Sequence, residues 1–329
     1  MAEFLRIAWV SPIYWSRGSL ENLYRGMRDI GINAFLTQYH IEDWKTGEYK
    51  KYDLAFKVAA EYGIKVFWYT GIHRLQYTNP DTGQKFLERY KNFSACGGWE
   101  WGDEPNYMGW EHAGCKGAHD LMDSQDPTHP NFAVWGYDLS VNYNYTYTPG
   151  CELFDVGCEC IYPTALAGSD WQSFLRYWIE HGMHRPNNDG FADCGKGMIP
   201  CIQAHVETSG PGAGMRPDMV GQFNIWKEYY SYPGQMKAIG FYRYGTFMGS
   251  GADKAAIREG IKEIARLTGW EDGPPPPPQY PCPYCTATFT SQADLDAHIA
   301  SEHPTPPPYE DVTCSRCGSL LRVYKDGLI

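Results

Sequence analysis

With 329 residues, the chain is long enough for one large domain and a small appendage. Its formal net charge of −11 argues against nucleic-acid phosphates or an anionic membrane as the main partner. No apolar run approaches the roughly 20 residues of a membrane-spanning helix, and aromatic side chains, at 16%, exceed what a core usually requires.

The first ten residues pass straight into strand-like sequence, without the basic start and apolar run of a secretory signal. A cytoplasmic location, or release by lysis, is therefore expected. The cysteines agree. Eleven is an odd number, four of them form two C-x-x-C pairs near the C-terminus, and several others lie on apolar stretches, as reduced thiols and metal ligands do.

As far as about residue 270, short apolar segments alternate with longer amphipathic ones. The pattern predicts strands over 6–14, 32–40, 64–73, 99–104, 131–138, 154–162, 198–206 and 239–247. Between them it predicts helices over 19–30 (capped by Ser19, stopped by Gly31), 50–62 (closed by Gly63), 84–90 and 107–122. Further helices are predicted over 169–181, with a clear cap, 217–230, with Pro217 in its first turn, and 254–267. Eight strand-then-helix units in this length give a (β/α)8 barrel over 1–272. An open doubly wound sheet would carry a Gly-rich turn after the first strand, and Ser11-Pro-Ile-Tyr-Trp15 is not one. Residues 273–279 form a proline-rich spacer, hence a domain boundary.

The stretch with the densest chemistry is Trp99-Glu-Trp-Gly-Asp-Glu-Pro-Asn106. A strand carries acids cheaply only at its end, where water or substrate reaches them. Pro105 cannot extend a sheet ladder, so Glu104 is expected at a strand tip beside aromatic faces, an arrangement suited to sugar chemistry. The other polar strand ends are Tyr14, Trp15, Tyr39, His40, His73, Asp103, Asp138, Glu159, Tyr162, His205, Glu207, Tyr242 and Tyr244. None is a lysine, which disfavours Schiff-base chemistry. His40, His73 and His205 suit hydrogen bonds to ligand hydroxyls or carboxylates better than a metal site, because the first strand lacks a His-x-His pair.

Three segments resemble the clan of TIM-barrel glycoside hydrolases: Trp101-Gly-Asp-Glu-Pro-Asn106, Asp126-Pro-Thr-His-Pro130 and Phe154-Asp-Val-Gly-Cys-Glu-Cys-Ile-Tyr-Pro163. The resemblance implies a general acid/base glutamate at the end of strand four, Glu104, and a nucleophile at the end of strand seven. Glu207 occupies that second position, in a row with Gln203 and His205, and Glu159 on strand six is its rival. The usual strand-four motif reads Asn-Glu-Pro, and Asp103 departs from it. Adjacent residues of a regular strand face opposite ways, so Asp103 and Glu104 cannot both face the sugar. Trp15 and Trp101 are expected to stack on the substrate, with Tyr39, His40, His73, Asp103, Glu159, Tyr162, His205 and Tyr242 around it. The expected activity is hydrolysis of an oligo- or polysaccharide, with no metal in the barrel. The alternative is a barrel that binds carbohydrate, or serves structure, without chemistry.

Beyond the spacer, Cys282-x2-Cys285-x12-His298-x4-His303 has the ligand spacing of a Cys2His2 zinc finger, which residues 280–305 closely resemble. Phe289 and Leu295 occupy the two apolar positions of such a finger. The segment between Tyr280 and His303 contains no lysine or arginine, so attachment to a protein partner or self-association fits it, and nucleic-acid binding does not. In the last segment, 306–329, Cys314 and Cys317 form a knuckle without a partner pair.

Overall fold

A computed structural model describes residues 4–10, 16–37, 49–70, 80–103, 112–136, 151–182, 195–208, 210–232, 234–242, 247–248, 250–270, 280–282, 284–285, 287–289, 292–302, 309–313 and 320–324. The chain divides into two compact units, Met1–Pro274 and Pro275–Ile329.

In the first unit eight parallel strands close into a barrel. They are β1 (Leu5–Val10), β2 (Ala34–Thr37), β3 (Lys65–Tyr69), β4 (Cys96–Asp103), β5 (Asn131–Gly136), β6 (Val156–Cys160), β7 (Gly197–Gln203) and β8 (Ala238–Tyr242). Each pairs with its sequence neighbour, and β1 pairs with β8. The helices between them are α1 (Arg17–Arg28), α2 (Tyr49–Glu61), α3 (Pro80–Tyr90), α4 (His112–Gln125), α5 (Pro163–Ala167), α6 (Trp171–Tyr177), α7 (Met219–Tyr229) and α8 (Ala252–Leu267). Closed strand order and alternating helices make this a (β/α)8 barrel.

Strand alternation splits the core in two. Ile7, Trp9, Leu36, Phe67, Phe132, Val134, Cys158, Cys160, Ile199 and Cys201 fill the barrel interior. Ala8, Phe35, Trp68, Trp99, Trp101, Ala133 and Ile202 pack outward, with Leu20, Tyr24, Phe56 and Phe223 from the helices. The interior is tight: a Cβ at Gly240 would meet Trp9 Cζ3 at 2.3 Å, so this glycine makes room for the indole. Buried Arg6 seals the barrel's N-terminal end, its guanidinium donating to Gly31 O and, at 3.4 Å, to Thr268 Oγ1.

Several elements depart from the sequence expectations. The first helix is capped by Ser16, whose hydroxyl accepts from Ser19 N at 3.2 Å, so Ser19 is the receiving turn and not the cap. Predicted helix 169–181 is broken into a 3-10 turn, α6 and a π turn over Trp178–Gly182, and α6 has no side-chain cap. Asp218 caps α7 through Gly221 N at 2.8 Å, which leaves Pro217 before the helix instead of inside it. Where the following residues are described, the strands end sooner than their apolar runs; β6 stops at Cys160 and β7 at Gln203.

In the second unit β9 (Tyr280–Pro281) and β10 (Thr288–Phe289) pair antiparallel, and helix α9 (Gln292–Glu302) follows. Tyr280, Cys282 and Leu295 are its buried core, flanked by Phe289 and Ile299. Strands β11 (Tyr309–Thr313) and β12 (Leu320–Tyr324) form a second antiparallel pair.

Candidate active site

The C-terminal ends of β6, β7 and β8 bring four of the expected residues together. Tyr162, just past β6, packs its ring 5.0 Å from His205 and 5.2 Å from Tyr242. Its hydroxyl lies 2.8 Å from Cys160 Sγ, and burial, reinforced by the neighbouring thiols and Tyr242, pushes its pKa well up, so it remains a neutral phenol. His205 is gripped on both edges. Nδ1 lies 3.3 Å from Tyr242 O, and Nε2 lies 2.5 Å from Glu207 Oε1. With an acceptor at each nitrogen, the imidazole donates to both only when doubly protonated. The Glu207 carboxylate is 29% exposed, so it reaches solvent while His205 holds one of its oxygens.

Glu207 lies four residues beyond the last residue of β7, and not on the strand. The turn that carries it is fixed by Gly214 N donating to Glu207 O at 2.9 Å. Gln203 supplies the scaffold below. Its Oε1 accepts from Thr164 and Ala165 N at 3.1 and 3.2 Å, and its Nε2 donates to His205 O at 3.2 Å. Gln203 continues the interior row of Ile199 and Cys201, and its fully buried side chain braces the start of α5 against the His205 backbone.

Two expected substrate contacts are corrected. Cys158 and Cys160 point inward, so Glu159 between them points to the helices. There it is 5% exposed and accepts from Trp178 Nε1 at 3.0 Å, which removes it as rival to Glu207. Trp101 is fully buried in the layer between sheet and helices, beside Trp99, and presents no face to the barrel mouth. Strand alternation puts it there, two residues after outward-facing Trp99, and a bulge follows. Glu100 pairs with Phe132 and Gly102 with Ala133, so Trp101 is the extra residue on β4. The same bulge brings the Asp103 backbone opposite Val134, a residue of the interior row. Trp15, Tyr39, His40, His73 and Glu104 lie outside the described residues.

What the sequence reading missed is the thiol floor under Tyr162. Cys160 and Cys201 are register partners on β6 and β7, with sulfurs 3.5 Å apart. The signal was Cys158-Glu-Cys160, two cysteines at strand spacing on one face.

In the second unit the hairpin and α9 gather Cys282, Cys285 and His298, one ligand atom of each within 4.8 Å of the others. Cys285 Sγ and His298 Nε2 are 3.3 Å apart, near the spacing of two tetrahedral ligands on one zinc. The donor set therefore fits zinc; His303 lies outside the described residues, as do Cys314 and Cys317. Among the described residues, no helix is long and apolar enough to cross a membrane.

Solved structures similar to this chain include TIM-barrel glycosidases. The endo-1,4-beta-mannanase from Rhizomucor miehei matches at 13% identity and TM-score 0.51, covering 80% of this chain and 95% of that one. The beta-galactosidase from the psychrophilic Marinomonas ef1 matches at 10% identity and TM-score 0.53, covering 80% of this chain and 59% of that one. A beta-galactosidase from Halorubrum lacusprofundi matches at 11% and 0.51, covering 80% and 58%. This chain thus spans less than two thirds of either galactosidase. At these identities the likeness shows the fold. No protein-family model matches the sequence, and no curated protein matches it.

Proposed function

We propose that the barrel is a glycoside hydrolase that cleaves a glycosidic bond in an oligo- or polysaccharide with paired carboxylates. The observation that carries this reading is Glu207, held by His205 beside Tyr162 and Tyr242 at the mouth of a closed barrel similar to glycosidases. In this reading Glu104 is the general acid/base, protonating the departing glycosidic oxygen. Glu207 either attacks the anomeric carbon or activates a water against it. A carboxylate spacing of about 5–5.5 Å goes with the first, retaining course and about 6.5–9.5 Å with the second, inverting one. His205 fixes one Glu207 oxygen and leaves the other for the sugar. Trp15, Tyr39, His40, His73 and Asp103 are proposed substrate contacts; β4 ends at Asp103, so strict strand alternation does not extend to Glu104.

For the second unit we propose a zinc-stapled attachment module, with Cys282, Cys285, His298 and His303 as ligands and zinc in a structural role only. Its partner is a protein or a second copy of the chain. The proposed domains are a catalytic barrel over 1–272, a spacer over 273–279, the finger over 280–305 and a tail over 306–329.

The test is a screen of chromogenic glycosides and polysaccharides with the wild type, Glu104→Gln and Glu207→Gln side by side. Turnover by the wild type that is lost in both variants supports the assignment. Saturable oligosaccharide binding with no turnover by the wild type supports the non-catalytic barrel in its place.

A further inference from the structure

At the N-terminal end of the barrel, far along the strands from the candidate active site, three carboxylates surround one imidazole. His119 of α4 is only 6% exposed, and neither ring nitrogen has a hydrogen-bond partner. Nδ1 lies 3.6 Å from Asp120 Oδ1 and 3.8 Å from Asp123 Oδ2, while Nε2 lies 3.8 Å from Asp155 Oδ1. These separations exceed the 2.7–3.2 Å of an N–H···O bond.

Asn131, the first residue of β5, sets two of the acids. Its side-chain amide donates to Asp123 Oδ1 at 2.6 Å, and its backbone N–H donates to Asp155 Oδ2 at 2.9 Å. Each carboxylate keeps its other oxygen on the His119 side. A neutral imidazole would aim a nitrogen lone pair at one of these anions, so the arrangement calls for a cation.

We propose that His119, Asp123 and Asp155 bind one divalent transition-metal ion of the zinc or manganese class. One donor atom from each residue lies within 4.8 Å of the other two. Bonds of about 2.0–2.2 Å require the carboxylates to close in on one ring nitrogen from these separations. One imidazole with two carboxylates is a borderline-to-hard donor set, suited to Zn2+ or Mn2+ and not to thiophilic ions. Asp123 and Asp155 also line a cavity of about 350 Å3 with Pro127, Thr128, His129 and Pro130, which leaves room for water ligands. A neighbouring group, Cys96, Asp126 and His129, lacks this character. Both Asp126 oxygens accept hydrogen bonds, and burial together with Asp126 pushes the Cys96 thiol up to about 12.

The N-terminal face of such barrels serves stability. An ion here ties α4 to the starts of β5 and β6, and the barrel then carries a structural metal that its sequence did not announce.

The test uses the full chain carrying Cys282→Ser, Cys285→Ser, Cys314→Ser and Cys317→Ser, so that the second unit offers no thiolates. The protein is stripped with chelator and titrated with Mn2+, followed by the spin-resonance signal of the free ion, and with Zn2+ by calorimetry. One ion per chain is expected, and saturating metal should raise Tm by about 5 °C or more. His119→Gln and Asp155→Asn should each weaken binding beyond the 10–100-fold that outer-shell changes cost, and remove the Tm rise. Equal binding by His119→Gln overturns the proposal. So does the absence of saturable binding and of any Tm rise in the parent, which makes His119 a buried imidazolium among carboxylates. The parent titration decides even if the variants do not fold.

Discussion

Asp126 and Glu207 are both carboxylates bonded to a histidine, and they sit at opposite ends of the barrel. Asp126, before β5, is 1% exposed and accepts from Trp99 Nε1 at 2.8 Å, Thr128 N at 3.2 Å, Thr128 Oγ1 at 2.6 Å and His129 Nδ1 at 2.7 Å. Glu207, past β7, is held by His205 on one oxygen and is 29% exposed. The first group is saturated, and its acceptor capacity holds the Asp126-Pro-Thr-His-Pro130 turn against the Trp99 indole. The second is positioned but not saturated. A bound carboxylate with a spare oxygen is what chemistry needs; one without is a structural clamp.

The largest effect expected from this contrast is on turnover. Glu207→Gln and Glu104→Gln each keep shape and remove a charge or proton relay, so kcat should fall at least about 10²-fold with Tm nearly unchanged. Steady-state kinetics on the best glycoside, beside thermal melts, check this. Full activity in Glu104→Gln would sink its assignment. A matching loss of Tm in Glu207→Gln would make that carboxylate another clamp and erase the contrast.

Asp126 should behave the opposite way. Asp126→Ala leaves the Trp99 indole N–H buried without its acceptor and unties Thr128 and His129, which should cost about 1–3 kcal/mol while kcat at low temperature is kept. Its pH signature follows from sign. Burial raises the Asp126 pKa, but Thr128, Trp99 and His129 outweigh it, so folding lowers the value. The stabilisation is therefore complete above the unfolded pKa of about 4 and is lost as pH falls through the folded one. Wild-type Tm should drop steeply in that acid range, and the drop should be shallower in Asp126→Asn. A drop of the same steepness in both proteins would assign the acid sensitivity to other groups, Asp155 among them.

How much of this was legible in sequence depends on the element. The barrel was, because eight apolar runs separated by amphipathic segments leave few other folds. Tyr162, His205, Glu207 and Tyr242 were legible as polar residues after those runs. Trp101 and Glu159 were not, for one physical reason each. Trp101 shares the outward face of Trp99, and nothing in the sequence says which face of β4 looks inward. The site-facing row on β6 is the cysteine row, so the glutamate that looked functional is the outward residue between two thiols. Nor was the His119 cluster legible, since His119, Asn131 and Asp155 meet only when α4 packs against β5 and the turn before β6.

Between the two ends lies the barrel plug, where an effect no larger is expected. Gly240→Ala places a Cβ against the Trp9 ring, and overpacking of this kind costs about 1–3 kcal/mol. Trp9→Leu in the same chain should recover part of the loss by vacating the contact. Denaturant melts of the two single variants and the double variant measure the coupling. Strict additivity would show that the interior yields without strain, and that changes at one end need not reach the other through it.

The smallest effect on the barrel is expected from the second unit. Among the described residues its buried core is Tyr280, Cys282 and Leu295, and a segment of about fifty residues supplies too little core to fold unaided. Metal binding, at about 10–16 kcal/mol for structural zinc in such fingers, is then its folding free energy. Cys282→Ser with Cys285→Ser should unfold residues beyond about 279 and open them to protease, while barrel Tm and turnover stay within error of the wild type. Limited proteolysis with mass spectrometry reads the first, and melts with kinetics read the second. Chelator alone is the poorer probe, because it also strips a metal at His119. Were turnover lost in the double variant while the barrel melted normally, a residue of the second unit would belong to the active site. Chemistry would then not be confined to the C-terminal end of the barrel, and the contrast between Asp126 and Glu207 would describe only half of the machinery.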